Sequence, residues 1–151
     1  MSELIVRLDE IVTGVLLAVL VVIVALQVLF RYLFYQPMGW TEEAGRYAFI
    51  WLSLLGAAVG VKYRAHFGFD VVVRTVPPPY RTALRLLIDS VGAIFSAAFM
   101  WFGAYLVVFT AHQTSPGLGV PMAVPYLAVP IAGGLMTVYF VRNVWTDLRS
   151  E

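Results

Sequence analysis

The sequence contains no cysteine, which removes disulfide exchange and thiolate metal ligation from what the chain can do. Charge is nearly as scarce: Asp, Glu, Lys and Arg make up 13% of the residues, against about a quarter in a soluble domain. The net charge is +1 and the basic residues are spread along the chain, so no cationic surface for nucleic acid is available. Neither Ile11 to Phe30 nor Ser90 to Val141 contains one charged residue. What occupies this space is apolar, with 61% hydrophobic residues and a mean hydropathy of +0.85. Too little polar sequence lies outside the apolar runs to build a separate soluble core, so the 151 residues read as one membrane domain.

The pattern predicts an all-α membrane protein with four transmembrane helices, at about 11–32, 41–63, 88–112 and 123–142. An interfacial amphipathic helix is expected at about 65–87, between spans two and three. The twenty residues Ile11 to Phe30 cover the roughly 30 Å hydrocarbon core as a helix. Their Val and Ile content would suit a strand in water, but a lone segment in lipid must satisfy its backbone internally. This first apolar run is too long for a signal-peptide core and lacks a cleavage pattern after it, so it is expected to be retained. Gln27 and Arg31 share a face at its end, where the arginine can reach the interface.

The second span is expected to start with Thr41 as N-cap and Glu42 and Glu43 in the first turn, where carboxylates complement the helix dipole. Arg46 stands four residues after Glu42 and three after Glu43, a spacing that allows an intrahelical ion pair. Farther along, Ser53, Gly56, Ala57 and Gly60 form a small-residue face with a GxxxG spacing, which packs within the bundle or against a partner. His66, Asp70 and Arg74 recur every four residues as a polar stripe among Phe and Val, the pattern of a helix lying in the interface and ended by Pro77, Pro78 and Pro79. Arg81, Arg85 and Asp89 make a second stripe that runs into span three. An unbroken helix from Tyr80 to His112 would be roughly 50 Å long and would project beyond the hydrocarbon. Gly92 to Ser96, Ala93 to Ala97, Ala128, Ala132 and Gly133 supply small-residue spacings on spans three and four, and Pro130 is expected to kink or unwind the last span.

Counting Lys and Arg predicts both termini inside. Arg7, the five cations of residues 62–89, Arg142 and Arg149 then face the cytoplasm, leaving Arg31 and Arg46 outside. No ionisable residue falls at mid-depth: Glu42, Glu43, Arg46 and Asp89 lie near span ends. This counts against a self-contained small four-span antiporter, which needs a buried ionisable site. His66 and His112 fall on opposite sides, so they cannot jointly ligate a metal ion or the haem of a respiratory membrane anchor. His112-Gln-Thr-Ser115 has no paired acid, and no catalytic residue, cofactor or enzyme activity is expected.

On this topology, Arg31-Tyr32 followed by Trp40-Thr-Glu-Glu43 and Arg46-Tyr47, then His66-Phe-Gly-Phe-Asp70 before a proline break, then Leu118-Gly-Val-Pro121 with Tyr126 to Pro130, resemble the small membrane subunit of tripartite ATP-independent periplasmic (TRAP) transporters, the DctQ-like family. The likeness covers nearly the whole chain, although the family often has a tryptophan after the proline matching Pro121, where this sequence has Met122-Ala-Val124. The resemblance implies a non-catalytic subunit of a sodium-coupled, binding-protein-dependent organic-acid transporter in a bacterial or archaeal cytoplasmic membrane. Its partners would be a large elevator-type membrane subunit, which carries the solute and sodium sites, a periplasmic solute-binding protein, and the lipid bilayer. Arg31, Trp40, Glu42, Glu43, Arg46, Gly56 and Gly60 are then candidates for the partner interface. His66, Asp70, Arg74, Arg81 and Arg85 are candidate interfacial anchors.

Overall fold

The computed structural model describes residues 2–35, 39–64, 73 and 75–149. They form helices α1 (Ser2–Tyr32), α2 (Gly39–Lys62), α3 (Pro78–Thr110), α4 (Ala123–Tyr126) and α5 (Ala128–Arg149), with no strand among the described residues. Four stretches, Arg7–Tyr32, Gly39–Lys62, Pro79–Thr110 and Ala123–Arg149, are long and apolar enough to cross a membrane. Helix prevails even over the Val- and Ile-rich α1, because only a helix pairs all the backbone groups of a single segment.

Several boundaries differ from those expected. Helix α2 begins at Gly39, so Thr41 is not its cap but lies within the first turn, 1% exposed. Starting there puts Thr41 and Gly45, four apart, on one buried face. Gly45 on that face approaches Ile23 of α1, with a methyl added to it standing 3.6 Å from the Ile23 Cγ2. Helix α3 is one unbroken element of 33 residues, as its length from Tyr80 suggested, but it starts at Pro78. Pro78 and Pro79 open the helix instead of separating it from what precedes, because first-turn N–H groups have no helical acceptor and a proline loses nothing there. Residues 78–87 of the expected interfacial segment are thus the first turns of α3. The stripe of His66, Asp70 and Arg74 lies outside the described residues. The last span is interrupted at Leu127, which separates α4 from α5; Pro130, with no N–H, cannot bond the carbonyl of Tyr126.

The chain forms two compact units, Met1–Gly56 with Tyr105–Ala128 and Ala57–Ala104 with Val129–Glu151. In the second unit, α3 and α5 approach at their backbones. A methyl at Gly133 would stand 2.8 Å from the Met100 nitrogen, one at Gly103 2.9 Å from the Pro130 nitrogen, and one at Gly92 2.6 Å from the Phe140 ring. The Ser96 and Thr137 hydroxyls meet at 2.9 Å within this contact, and Thr137 also reaches the Gly133 carbonyl at 2.8 Å. Ala58, Val61 and Tyr139 form a small core to which Leu135, Met136 and Phe140 are added. By contrast, nothing lies within 4 Å of a methyl built on Gly56.

These two kinds of glycine separate experimentally. Gly133→Ala must displace the Met100 backbone, and overpacking of this sort costs about 1–3 kcal/mol, more than the gain of about 1 kcal/mol in helix propensity. Gly56→Ala meets no atom and keeps the propensity gain. Thermal unfolding of the detergent-purified chain is expected to show a lowered midpoint for Gly133→Ala and an unchanged or raised one for Gly56→Ala.

Candidate functional site

In the first unit, the polar centre is built on Glu43. Residues 113–122 fold back on themselves: the Met122 amide donates to the Gln113 carbonyl at 2.8 Å, Ser115 to Val120 at 2.8 Å, and Gly119 to Ser115 at 3.1 Å. Thr114 and Pro121 form an isolated antiparallel bridge. Gly119 takes the left-handed φ of +66° that closes the turn, a conformation glycine adopts without strain. The consecutive amides of Gly117 and Leu118 then point at one acceptor, the Glu43 Oε2, at 2.8 and 2.7 Å. A pair of converging backbone donors of this kind is an anion-binding nest. Gly117 suits this fit, since a methyl there would stand 2.6 Å from that oxygen and force the carboxylate to shift.

The other carboxylate oxygen, Oε1, accepts from the Tyr47 hydroxyl at 2.7 Å, one helical turn along α2. The Tyr47 hydroxyl also lies 3.3 Å from the Met122 sulfur. Ser115 of the turn is buried, and its hydroxyl has no hydrogen-bond partner among the described residues. Glu43 is thus 8% exposed with both oxygens bonded. An anion removed from water needs such partners, and charge-assisted hydrogen bonds are the strong ones. The arrangement fastens the 113–122 turn to the first turns of α2.

The second unit has its own centre at Arg64, just past α2. Its Nη2 lies 2.9 Å from Asp147 Oδ1 and 3.4 Å from Asp89 Oδ2, and donates to the Asn143 carbonyl at 3.0 Å. The Asn143 amide in turn donates to the Val61 carbonyl at 3.3 Å, an oxygen that also accepts the Arg64 amide at 3.1 Å where the helix ends. Arg64 adopts φ +51°, turning the chain out of the helix. One guanidinium therefore joins the end of α2 to α3 and α5. Hydrogen bonds to charged groups contribute about 1.5–3 kcal/mol, and partial exposure of the arginine sets this contact toward the lower end.

Of the hairpin residues singled out from the sequence, only Glu43 enters a bonded centre. Arg31, Glu42 and Arg46 are exposed, as is Trp40. The ion pair possible between Arg46 and the two glutamates is not formed; Glu43 finds three donors in a buried place, whereas a pair at the surface offers little. Gly60 is half-buried and Gly56 faces open space. Arg81 donates from Nε to the Val76 carbonyl at 2.9 Å, and Arg85 is exposed on α3. Gly117, Asn143 and Asp147 were not singled out, and Tyr47 and Arg64 entered only as part of a motif and of the cation count. The signal available was the Pro116-Gly-Leu-Gly119 turn for Tyr47 and Gly117, and the presence of charges of opposite sign bordering three spans for the others. No cluster of three or more His, Cys, Asp or Glu placed to hold a metal ion occurs among the described residues.

Four helices long and apolar enough to cross a membrane, with Glu43 and Arg64 engaged in holding the chain's own turn and helix ends, define a small multi-pass membrane protein. Residues 20–150 match the family described as tripartite ATP-independent periplasmic transporters, DctQ component, and the chain belongs to that family. It is 34% identical over 113 residues to the C4-dicarboxylate TRAP transporter small permease protein DctQ of Rhodobacter capsulatus, covering 74% of this chain and 50% of that protein. It is 31% identical over 138 residues to the isethionate TRAP transporter permease protein DctMQ of Oleidesulfovibrio alaskensis, covering 86% of this chain and 22% of that protein. With the sialic acid TRAP transporter small permease protein SiaQ of Vibrio cholerae it shares 24% identity over 149 residues, 99% of this chain and 86% of the other. The chain thus spans half or less of the length of the first two of these relatives. These are transporter permease proteins, not enzymes.

If the Glu43 clasp is a unit, removing either side removes the same contact. Glu43→Ala and Gly117→Ala are each expected to raise the hydrogen-exchange rates of the Gly119 and Met122 amides, and the double variant to exchange no faster than the faster single one. An additive double variant would mean that the two residues act separately.

Proposed function

We propose that this chain is the small membrane subunit of a sodium-coupled, binding-protein-dependent uptake transporter for an organic acid, and that it stabilises the static scaffold of a large elevator-type membrane subunit. The observation that carries the reading is the use made of its charged groups: Glu43, Arg64, Asp89 and Asp147, placed in or beside the spans, hold its own turn and helix ends. A carrier would need such groups facing a solute or ion. The relatives support it from another side. Their names specify isethionate, a C4-dicarboxylate and sialic acid, while the small chain stays recognisably similar. Solute choice therefore resides in a partner, and the sodium sites are assigned to the large subunit as well. The match of this chain to about a fifth of the DctMQ permease agrees with a large membrane partner.

Both termini are placed in the cytoplasm of a bacterial or archaeal cell, because that orientation puts eight of ten Lys and Arg residues inside. The 113–122 turn and the Glu43 clasp then face the periplasm, on the side from which a soluble solute-binding protein delivers its cargo. The segment at 65–87 serves as an anchor in the inner interface.

Reconstitution tests the role. Liposomes holding this chain alone are expected to show no sodium-driven organic-acid uptake, and uptake is expected when the large subunit and a loaded binding protein are added. Uptake by the chain alone would make it a carrier, and a Soret band in the purified protein would make it a haem anchor. The orientation is tested separately. With no native cysteine to remove, His112→Cys is expected to react with a membrane-impermeant maleimide added to intact cells, and Arg149→Cys only after permeabilisation.

A further inference from the structure

Helix α3 presents two opposite faces. Toward α5 it turns Gly92, Ser96 and Gly103, as described above. Away from it, in the second unit, stand Val91 (58% exposed), Ile94 (72%), Phe95 (69%), Trp101 (73%) and Phe102 (70%), recurring at the spacing of one helical stripe. In a membrane protein, exposure by itself means lipid. Helix α1 has such a face: Leu17, Val21, Val24 and Val28 are exposed and purely aliphatic.

Trp101 is different because of its depth. The charge-free part of α3 runs from Ser90 to Thr110, and Trp101 lies near its middle, roughly 15 Å from either end at the helical rise. Tryptophan ordinarily sits at the membrane–water boundary, where the indole N–H finds an acceptor. From mid-helix it cannot reach one, and side chains on a helix lean toward its N-terminus, along the longer part of the span's interior. Among the described residues the indole makes no hydrogen bond, and hydrocarbon supplies none. Tyr105, considered within the first unit alone, repeats the observation. Its phenol is 69% exposed, its ring stacks on Phe109 at 6.4 Å, and its hydroxyl has no hydrogen bond among the described residues.

We infer that the outward face of α3 around Trp101 receives a helix of the large membrane subunit, one presenting side-chain oxygens or freed backbone carbonyls at mid-depth, and that the α1 face is left to lipid. The inference rests on the subunit role proposed above and assigns the surface that serves it. An aromatic face suits a protein partner: wide rings fill the grooves of a neighbouring helix, and an indole N–H and a phenol pin its register.

The absence of cysteine makes the test direct. Single variants Ile94→Cys and Phe102→Cys on α3, and Val21→Cys and Val24→Cys on α1, carry a maleimide-linked photo-crosslinker in the complex co-purified with the large subunit. The α3 probes are expected to cross-link to the large subunit and the α1 probes to lipid. Trp101→Phe and Tyr105→Phe are expected to weaken association by about two- to tenfold, the worth of one hydrogen bond. Neither should move the unfolding midpoint of the chain alone, because neither loses a bond within it. Cross-linking from α1 but not α3, or wild-type association by both variants, overturns the face assignment while leaving the subunit role standing. Failure of the wild-type chain to co-purify with the large subunit overturns the subunit role, and the face assignment with it.

Discussion

A carboxylate placed in the first turns of a membrane-crossing helix must be given donors, and much of the first unit follows from meeting that demand at Glu43. Water is not at hand for a group 8% exposed, so the donors come from the chain. Two of them are consecutive backbone amides, available only because residues 113–122 fold into a turn that leaves Gly117 and Leu118 unpaired within it. Gly117 is small enough for the oxygen to approach, and Gly119 closes the turn at a left-handed φ. The third donor, Tyr47, stands one helical turn from Glu43 and ties in Met122 at the end of the same turn. The polar connection between spans is therefore a fixed piece of structure whose shape matches an acidic side chain.

The second unit meets a similar demand with the opposite chemistry. Arg64 is a cation leaving the end of a helix, and its acceptors are two carboxylates and a carbonyl drawn from α3 and α5. Neutral amides at Glu43 fix direction as well as distance, because a backbone turn has few conformations. An ion pair at Arg64 tolerates more displacement, and its side chain remains partly exposed. The contrast explains why Glu43 needs a glycine beside it whereas Arg64 needs only a turn of the backbone.

The four spans were legible in the sequence because charge-free runs of membrane length have one structural solution in lipid. Helix ends were less so. Thr41 reads as a cap by residue type, yet burial of Thr41 with Gly45 demanded a turn already formed. The three prolines read as a break, yet two of them are ideal first-turn residues of α3. The Glu43 site was half legible: the glutamate drew notice as a charge in an apolar chain, but two of its three donors lie more than seventy residues away and are backbone atoms, which no residue type announces. Arg46, near in sequence, was the evident partner and the wrong one. Arg64 illustrates the same limit, since a positive-inside count treats each cation as a solvated anchor and is blind to one that is paired.

Small residues sort by what stands opposite them. Gly103 and Gly133 let α3 and α5 meet nearly backbone to backbone, and Gly92 makes room for the Phe140 ring, a contact held further by the Ser96 and Thr137 hydroxyls. Without a hydrophobic drive between helices in lipid, close approach of this kind supplies the association. It also has a consequence for the far side of α3. A helix whose inner stripe is glycine and serine has no room there for large side chains, so its aromatic residues, Trp101 among them, are directed outward. Packing within the chain thus creates the aromatic face, but it does not account for an indole N–H at mid-depth; a leucine would serve as well against lipid and leave no donor without an acceptor.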